Sequence, residues 1–282
     1  MTGRLSALAR GRSAQVKAAT AITAMAVALL ASAAVAGCAD SASGRTSLAA
    51  ANAPAVLGSG PAKALQAQYE AVIKAVLPSV VQISTADAQG SGVVYDDAGD
   101  IVTNAHVVGG ASTVQVTPDV GGGALTAKVV GVYAPDDLAV IRVTSGRASL
   151  PPAAFGQSTG LAAGQIVLAL GSPFGLTGSA TQGIISATGR TLIETNATDS
   201  GAVKTLTIAG TLQTSAAINS GNSGGALVAL SGRVIGITTA AALNAGTGDS
   251  TAIGFAIPAG TVTRVARQLI SAGRVSAPAP PP

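Results

Sequence analysis

The chain has 282 residues, of which 48% are hydrophobic, 10% charged and 2% aromatic, with 36 glycines and no tryptophan. Such a composition excludes a charge-driven disordered chain and a coiled coil, both of which need far more polar or Ala/Glu/Lys/Leu/Arg-rich sequence. The net charge of +4 belongs to Arg4, Arg10, Arg12 and Lys17, and without them bases and acids balance; with no basic cluster and few rings for stacking, nucleic acid is not an expected partner.

Residues 1–37 read as a signal peptide, with four cations in residues 1–17, no charge from Ala18 to Ala39, and a mostly apolar stretch over Ile22–Val35. The stretch ends in Val35-Ala36-Gly37-Cys38, which resembles the lipobox of bacterial lipoproteins. That resemblance implies cleavage before Cys38 and a diacylglycerol on its sulfur. Two other readings stand beside it: an ordinary cleaved signal peptide with an incidental Cys38, and an uncleaved anchor, since about 20 uncharged residues can just span a bilayer. All three place the body outside the cytoplasm, held to the cell membrane by a lipid or an N-terminal segment, or secreted. Cys38 is the only cysteine, so an internal disulfide is excluded. Residues 38–63, rich in Ala, Ser, Gly and Pro, read as a flexible tether.

From residue 64 the pattern becomes regular. Leu65, Tyr69, Val72, Ile73 and Val76 share one helical face over residues 64–77, and Pro78 ends that helix. Short β-branched runs follow at Val80–Ser84, Gly92–Tyr95, Asp100–Thr103, Thr113–Thr117, Ala127–Tyr133 and Leu138–Val143. A break at Ser145–Pro152 separates them from Gln165–Leu170, Ala180–Thr188, Ala202–Ile208, Thr211–Thr214, Gly225–Val228, Val234–Ala240 and Gly254–Ile257. Two such series point to two antiparallel barrels or a sandwich. A last helix begins at Thr261, with Val262, Val265, Ala266, Leu269 and Ile270 inward and Gly273 as cap. Residues 276–282 are a Pro-rich tail.

Three positions draw attention for chemistry. His106, the only histidine, sits where a strand meets a turn in Thr103-Asn104-Ala105-His106-Val107-Val108. A lone histidine is often structural, and no second His or Cys accompanies it as a metal ligand, so neither a metal nor a cofactor is expected. Ser223 lies in Gly221-Asn222-Ser223-Gly224-Gly225, where glycines permit a turn that aims backbone N–H groups at one spot; the same letters also fit a plain Gly-rich turn. Asp137 precedes an apolar strand and alone reads as a solvated turn residue. Together the three form the set that nucleophilic catalysis requires: a weak hydroxyl nucleophile, a base, and an acid that fixes the base's tautomer.

The blocks TNAHVV, DDLAVIRV, GSPFGL, TQGIISATGR, LQTSAAINSGNSGGALV, GRVIGITTA and IGFAIP, in that order, resemble those of HtrA/Deg-type serine proteases of the trypsin-like class. The resemblance spans about Val80 to Ile270. It implies an all-β chymotrypsin-like fold, two antiparallel six-stranded barrels at about 78–144 and 153–258, inside a protease domain of 64–275 with a helix at each end. It also implies His106 as general base, Asp137 rather than Asp136 as orienting acid, Ser223 as nucleophile, and the N–H groups of Gly221 and Ser223 as oxyanion donors. Ala217 then lies at the floor of the specificity pocket. The strand Ile237-Thr238-Thr239-Ala240-Ala241 forms its wall, with Thr239, Ala240 and Ala241 beside substrate, while Leu176 and Ile218 can narrow the pocket. A floor without charge predicts a small aliphatic residue before the scissile bond. Ser215 stands where the family commonly has Asp and Ser220 where it has Pro, and the family's usual PDZ domain after the protease is not expected here.

The expected function is an exported serine endopeptidase acting on unfolded or extended protein segments, with envelope protein quality control as its expected role. Its rivals are a peptide-binding module on a protease fold that does not cut, and an esterase, for which the strand-then-helix setting of the nucleophile is missing.

Overall fold

The computed structural model describes residues 60–118, 122–144, 150–172, 178–197, 203–219, 221–243 and 250–276. The expected signal peptide, Cys38, residues 38–59 of the expected tether and residues 277–282 of the tail lie outside them.

Twelve strands form two closed antiparallel barrels of six. The first comprises β1 (Val80–Ser84), β2 (Gln89–Val94), β3 (Asp100–Thr103), β4 (Thr113–Pro118), β5 (Leu125–Tyr133) and β6 (Leu138–Val143), in spatial order β1-β2-β3-β6-β5-β4. The second comprises β7 (Ile166–Gly171), β8 (Ser179–Ala197), β9 (Val203–Thr214), β10 (Ala226–Ala229), β11 (Val234–Leu243) and β12 (Ser250–Pro258), in the order β10-β11-β12-β9-β8-β7. Pairing of β1 with β4, and of β10 with β7, closes each cylinder and removes its open edges.

The two faces of each strand serve different cores. Val81, Ile83, Val94, Ile101, Val116 and Ile141 fill the first barrel; Val167, Ala169, Ile185, Leu212, Leu227 and Ile235 fill the second. Their neighbours of opposite parity, among them Val80, Val93, Val102, Val140, Leu168, Leu170 and Val228, form a third core with α1 (Pro61–Val76) and α3 (Ala259–Ala272). A strand buried on both faces reads as a continuous apolar run rather than an alternation. At about 25 cal/mol per Å² of apolar surface, this layer is a large share of the driving force for folding. Barrel one also holds a half-buried ion pair across β3 and β6, where partly exposed Arg142 grips fully buried Asp100 with two hydrogen bonds of 2.6 and 2.7 Å. The Asp100 carboxylate holds the Arg142 guanidinium's pKa above its ordinary value.

Several expectations need correction. Ala202–Ile208 and Thr211–Thr214 are one strand, β9: Gly210 has φ +72°, and the register with β8 shifts between Arg190 and Leu192, so that glycine belongs to a bulge rather than a turn. β8 runs to Ala197, well past Thr188. Leu65 is 37% exposed, because α1 meets the core only from Tyr69 onward and its first two turns lie in solvent. A single helical turn, α2 (Ala105–Val108), follows β3 and carries His106; four residues are too few to show a helical period.

Candidate active site

The first half of the site is built around one carboxylate. Asp137 is the only non-glycine residue with positive φ among the described residues, at φ 49°. It follows a 3-10 turn over Ala134–Asp136 and immediately precedes β6. Aspartate tolerates this left-handed conformation better than branched residues do. Its backbone oxygen accepts from Ala105 N–H at 3.1 Å and from Asn104 Nδ2 at 2.9 Å, which ties it to the start of α2. Its side chain is 3% exposed and takes three hydrogen bonds. Oδ1 accepts from the His106 backbone N–H at 3.0 Å. Oδ2 pairs with His106 Nδ1 at 2.8 Å and accepts from Thr239 Oγ1 at 2.6 Å. An ionised carboxylate only accepts, so the proton of a neutral imidazole rests on Nδ1 and Nε2 stays basic. The neighbouring Asp136 turns away to Arg264 of α3, at 3.2 Å. Burial raises the pKa of Asp136, and the Arg264 guanidinium opposes that shift only in part.

The second half is a backbone turn between β9 and β10. Gly221 has φ +97° and Gly224 φ +85°, conformations open to glycine and strained for other residues. A Cβ on Gly224 would lie 2.1 Å from the Ser91 carbonyl oxygen and 2.5 Å from Thr103 Oγ1, so the turn packs on β2 too closely for any side chain. Asn222 N–H donates to Asn219 O at 3.0 Å and Gly224 N–H to Thr238 O at 2.8 Å. Thr238 Oγ1 donates to Asn222 O at 2.6 Å. Ser91 donates from its N–H to Ser223 O at 2.7 Å and from its hydroxyl to Gly221 O at 2.6 Å. The Ser223 hydroxyl donates to Thr239 O at 3.0 Å. Thr239 therefore joins the halves: its carbonyl holds Ser223 and its hydroxyl holds Asp137.

Ala217 is exposed, and its carbonyl accepts from Thr181 Oγ1 at 2.9 Å. Ile218 is buried, 3% exposed, and packs against Gly254, where a Cβ would approach it to 2.4 Å. Thr239 was expected to face substrate, but its side chain is 3% exposed and committed to Asp137. Ala240 and Ala241 continue β11, and their side chains fall outside the described residues, as do Leu176 and Ser220. Ser215, at the position where an aspartate was the norm, accepts the Ile184 N–H at 3.1 Å. The sequence reading missed Ser91, Thr103 and Thr238, all fully buried. For Thr103 and Thr238 the available signal was a hydroxyl inside an otherwise apolar strand, since a buried hydroxyl requires a partner.

Among the described residues, no group of three or more His, Cys, Asp or Glu is placed to hold a metal ion. Nor is any described helix long and apolar enough to cross a membrane.

Comparison with known proteins gives one answer. The family described as "Trypsin-like peptidase domain" matches residues 90–237. The chain is similar to Protease Do-like 1 of Arabidopsis thaliana chloroplasts, 42% identical over 189 residues, covering 67% of this chain and 41% of that protein. It is 41% identical over 188 residues to a periplasmic DegP-like serine endoprotease of Chlamydia trachomatis, covering 67% of this chain and 35% of that one. The chain thus spans less than half the length of these curated relatives. Among solved structures, the HtrA-type protease AlgW with a tripeptide superposes with a TM-score of 0.61 at 36% identity, covering 73% of this chain and 65% of that one.

Proposed function

Because the chain belongs to the trypsin-like peptidase family, we propose that it is a serine endopeptidase in which Ser223, His106 and Asp137 act as nucleophile, general base and orienting acid. The observation that carries this reading is the Asp137 carboxylate, which takes His106 Nδ1 at 2.8 Å and so keeps Nε2 basic. Substrate binding turns the Ser223 hydroxyl from the Thr239 carbonyl to Nε2. The Ser223 oxygen attacks the scissile carbonyl carbon, Nε2 takes the hydroxyl proton, and the buried Asp137 stabilises the imidazolium. Charge developing on the carbonyl oxygen is met by the N–H groups of Gly221 and Ser223, each worth about 3–4 kcal/mol of barrier. The imidazolium then protonates the departing amine. Water, deprotonated by the same Nε2, hydrolyses the acyl-enzyme.

The substrates are extended or unfolded protein segments, and the peptide-bound AlgW structure supports that class. With an uncharged Ala217 at the pocket floor, a Lys or Arg before the scissile bond finds no partner for its charge, which costs several kcal/mol on burial. Cleavage follows small aliphatic residues, with modest discrimination among Val, Ala and Ile. The leader and the periplasmic relative support an extracytoplasmic protein, anchored through a lipid on Cys38 and serving envelope protein quality control. Fatty-acid label that is lost in Cys38→Ala supports the anchor; label that persists in that variant sinks it.

Digestion of an unfolded protein, read by mass spectrometry, tests the activity. Cuts after Val, Ala or Ile that vanish in Ser223→Ala and persist in EDTA are expected. Peptide binding with no cleavage by the wild type would instead establish a non-cutting peptide-binding module. Dominant cleavage after Lys, Arg or Asp would remove Ala217 from the pocket floor.

A further inference from the structure

We infer that Ser91, a fully buried residue of the first barrel, is a positioning residue for the oxyanion-binding turn of the second, acting through its hydroxyl on the Gly221 carbonyl. The inference rests on the serine-protease reading and adds a residue to its machinery.

Three successive carbonyls define that turn, and each has its own partner. Gly221 O accepts the Ser91 hydroxyl at 2.6 Å, Asn222 O the Thr238 hydroxyl at 2.6 Å, and Ser223 O the Ser91 N–H at 2.7 Å. Each peptide carbonyl points opposite to the N–H of the next residue, so fixing Asn222 O fixes the direction of the Ser223 N–H. The second proposed donor is the Gly221 N–H. Gly221 is at φ +97°, and a glycine can exchange backbone conformations at little steric cost. The peptide plane beside that donor is held on both sides, its carbonyl by the Ser91 hydroxyl at 2.6 Å and its Asn222 N–H by Asn219 O at 3.0 Å, and the Ser91 bond is the shorter of the two.

The Ser91 hydroxyl is itself held in one sense. The Ser172 N–H, just beyond β7, donates to Ser91 Oγ at 2.9 Å, so the hydroxyl proton is directed to Gly221 O. Thr103 Oγ1 donates to Ser91 O at 2.7 Å, which anchors Ser91 within barrel one. At Gly171 a Cβ would lie 2.6 Å from Asn222 Oδ1, so β7 also presses on the turn. A purely structural clamp between the barrels is already supplied by the Ser91 N–H on Ser223 O at 2.7 Å. The hydroxyl adds a contact to one atom, in the peptide plane adjoining a proposed oxyanion donor. Ser91 is 0% exposed and cannot touch substrate, so its effect reaches the reaction only through the geometry of the turn.

The test is steady-state kinetics on Ser91→Ala, with the active sites of every sample counted by a fluorophosphonate probe. We expect kcat per titrated site to fall about 10- to 100-fold, the scale of a displaced oxyanion donor and less than that of a lost one. KM should stay within about twofold, because ground-state binding is not made by this turn. A peptide boronic acid, which forms a tetrahedral adduct on the nucleophile, should lose affinity by the same factor as kcat. A cleaved product peptide should bind as before. Ser91→Cys, nearly the same size with a weaker donor, should fall between wild type and Ser91→Ala; if Ser91→Ala does not fold, Ser91→Cys alone decides. A folded Ser91→Ala or Ser91→Cys with wild-type kcat and boronate affinity overturns the inference. Wild-type protein that the probe does not label at Ser223 overturns the underlying serine-protease reading, which separates the two failures.

Discussion

The two halves of the site are held by different kinds of force. His106 and Asp137 come from the first barrel and are fixed by side chains: a buried carboxylate with three hydrogen bonds, on a residue forced into a left-handed conformation. Ser223 comes from the second and is held through its main chain: a turn opened by Gly221 and Gly224, its carbonyls pinned by the Ser91 N–H and by the Ser91 and Thr238 hydroxyls. Side-chain chemistry tolerates backbone variation but not a change of functional group. The turn depends on the hydroxyls that reach it from other strands and leaves no room for a Cβ at Gly224. The proposed mechanism needs both, and the halves should therefore break in different ways.

Removing a reacting group gives the largest effect. Ser223→Ala and His106→Ala should each lower kcat by about 10⁴- to 10⁶-fold with folding intact, and the double variant should be hardly worse, because such groups act as a unit. Asp137→Asn should cost about 10⁴-fold at neutral pH, since an amide offers the imidazole the wrong tautomer. Peptide hydrolysis rates check all of these, and near-normal turnover by His106→Ala would contradict them. On the main-chain side, Gly224→Ala should lower stability by about 2–4 kcal/mol through overpacking and left-handed strain, read by denaturant melts, and abolish turnover with it. Gly232→Ala is the control: its φ is +75° with open space around the added Cβ, so it should cost only about 1 kcal/mol and leave kcat per site unchanged.

Thr239 joins the two halves, and Thr239→Val keeps its carbonyl while deleting its hydroxyl. A hydrogen bond to a charged group is worth about 1.5–3 kcal/mol, so kcat should fall about 10- to 100-fold. An unchanged pH–rate profile with unchanged kcat would show that the hydroxyl does not matter to Asp137. The smallest effect lies beside the carboxylate, at Asp136. Burial holds its pKa above the ordinary 3.8, so the folded protein keeps that proton more tightly than the unfolded chain. Its contribution to stability is present below about pH 3.8 and is lost as pH rises through the folded value. The Tm of Asp136→Asn minus that of wild type should therefore rise a little from acid to neutral pH; a difference that falls would mean that Arg264 outweighs burial.

Legibility followed the same division. His106, Asp137 and Ser223 were readable because their chemistry is written in residue type, and the glycines around Ser223 signalled a special backbone without revealing what holds it. Ser91 was not readable, because its partner lies 130 residues away in the other barrel and it sits between two glycines, just before the run that the pattern begins at Gly92. Thr239 was assigned to the pocket wall because strand parity alone does not say which face meets a buried acid. The barrels emerged from runs of β-branched residues, while the Gly210 bulge was mistaken for a turn, since glycine serves both. Leu65 kept the helical period, yet periodicity does not tell where a helix first meets its core.

The central claim is that Ser223 is a nucleophile activated by His106, and reaction with a fluorophosphonate probe followed by intact-mass and peptide mapping measures it directly. The account predicts one adduct per chain, located on Ser223, absent in Ser223→Ala, slowed by orders of magnitude in His106→Ala, and forming at a rate that rises through a single ionisation in the wild type. Labelling that persists in Ser223→Ala, or that proceeds at the wild-type rate without His106, would contradict it.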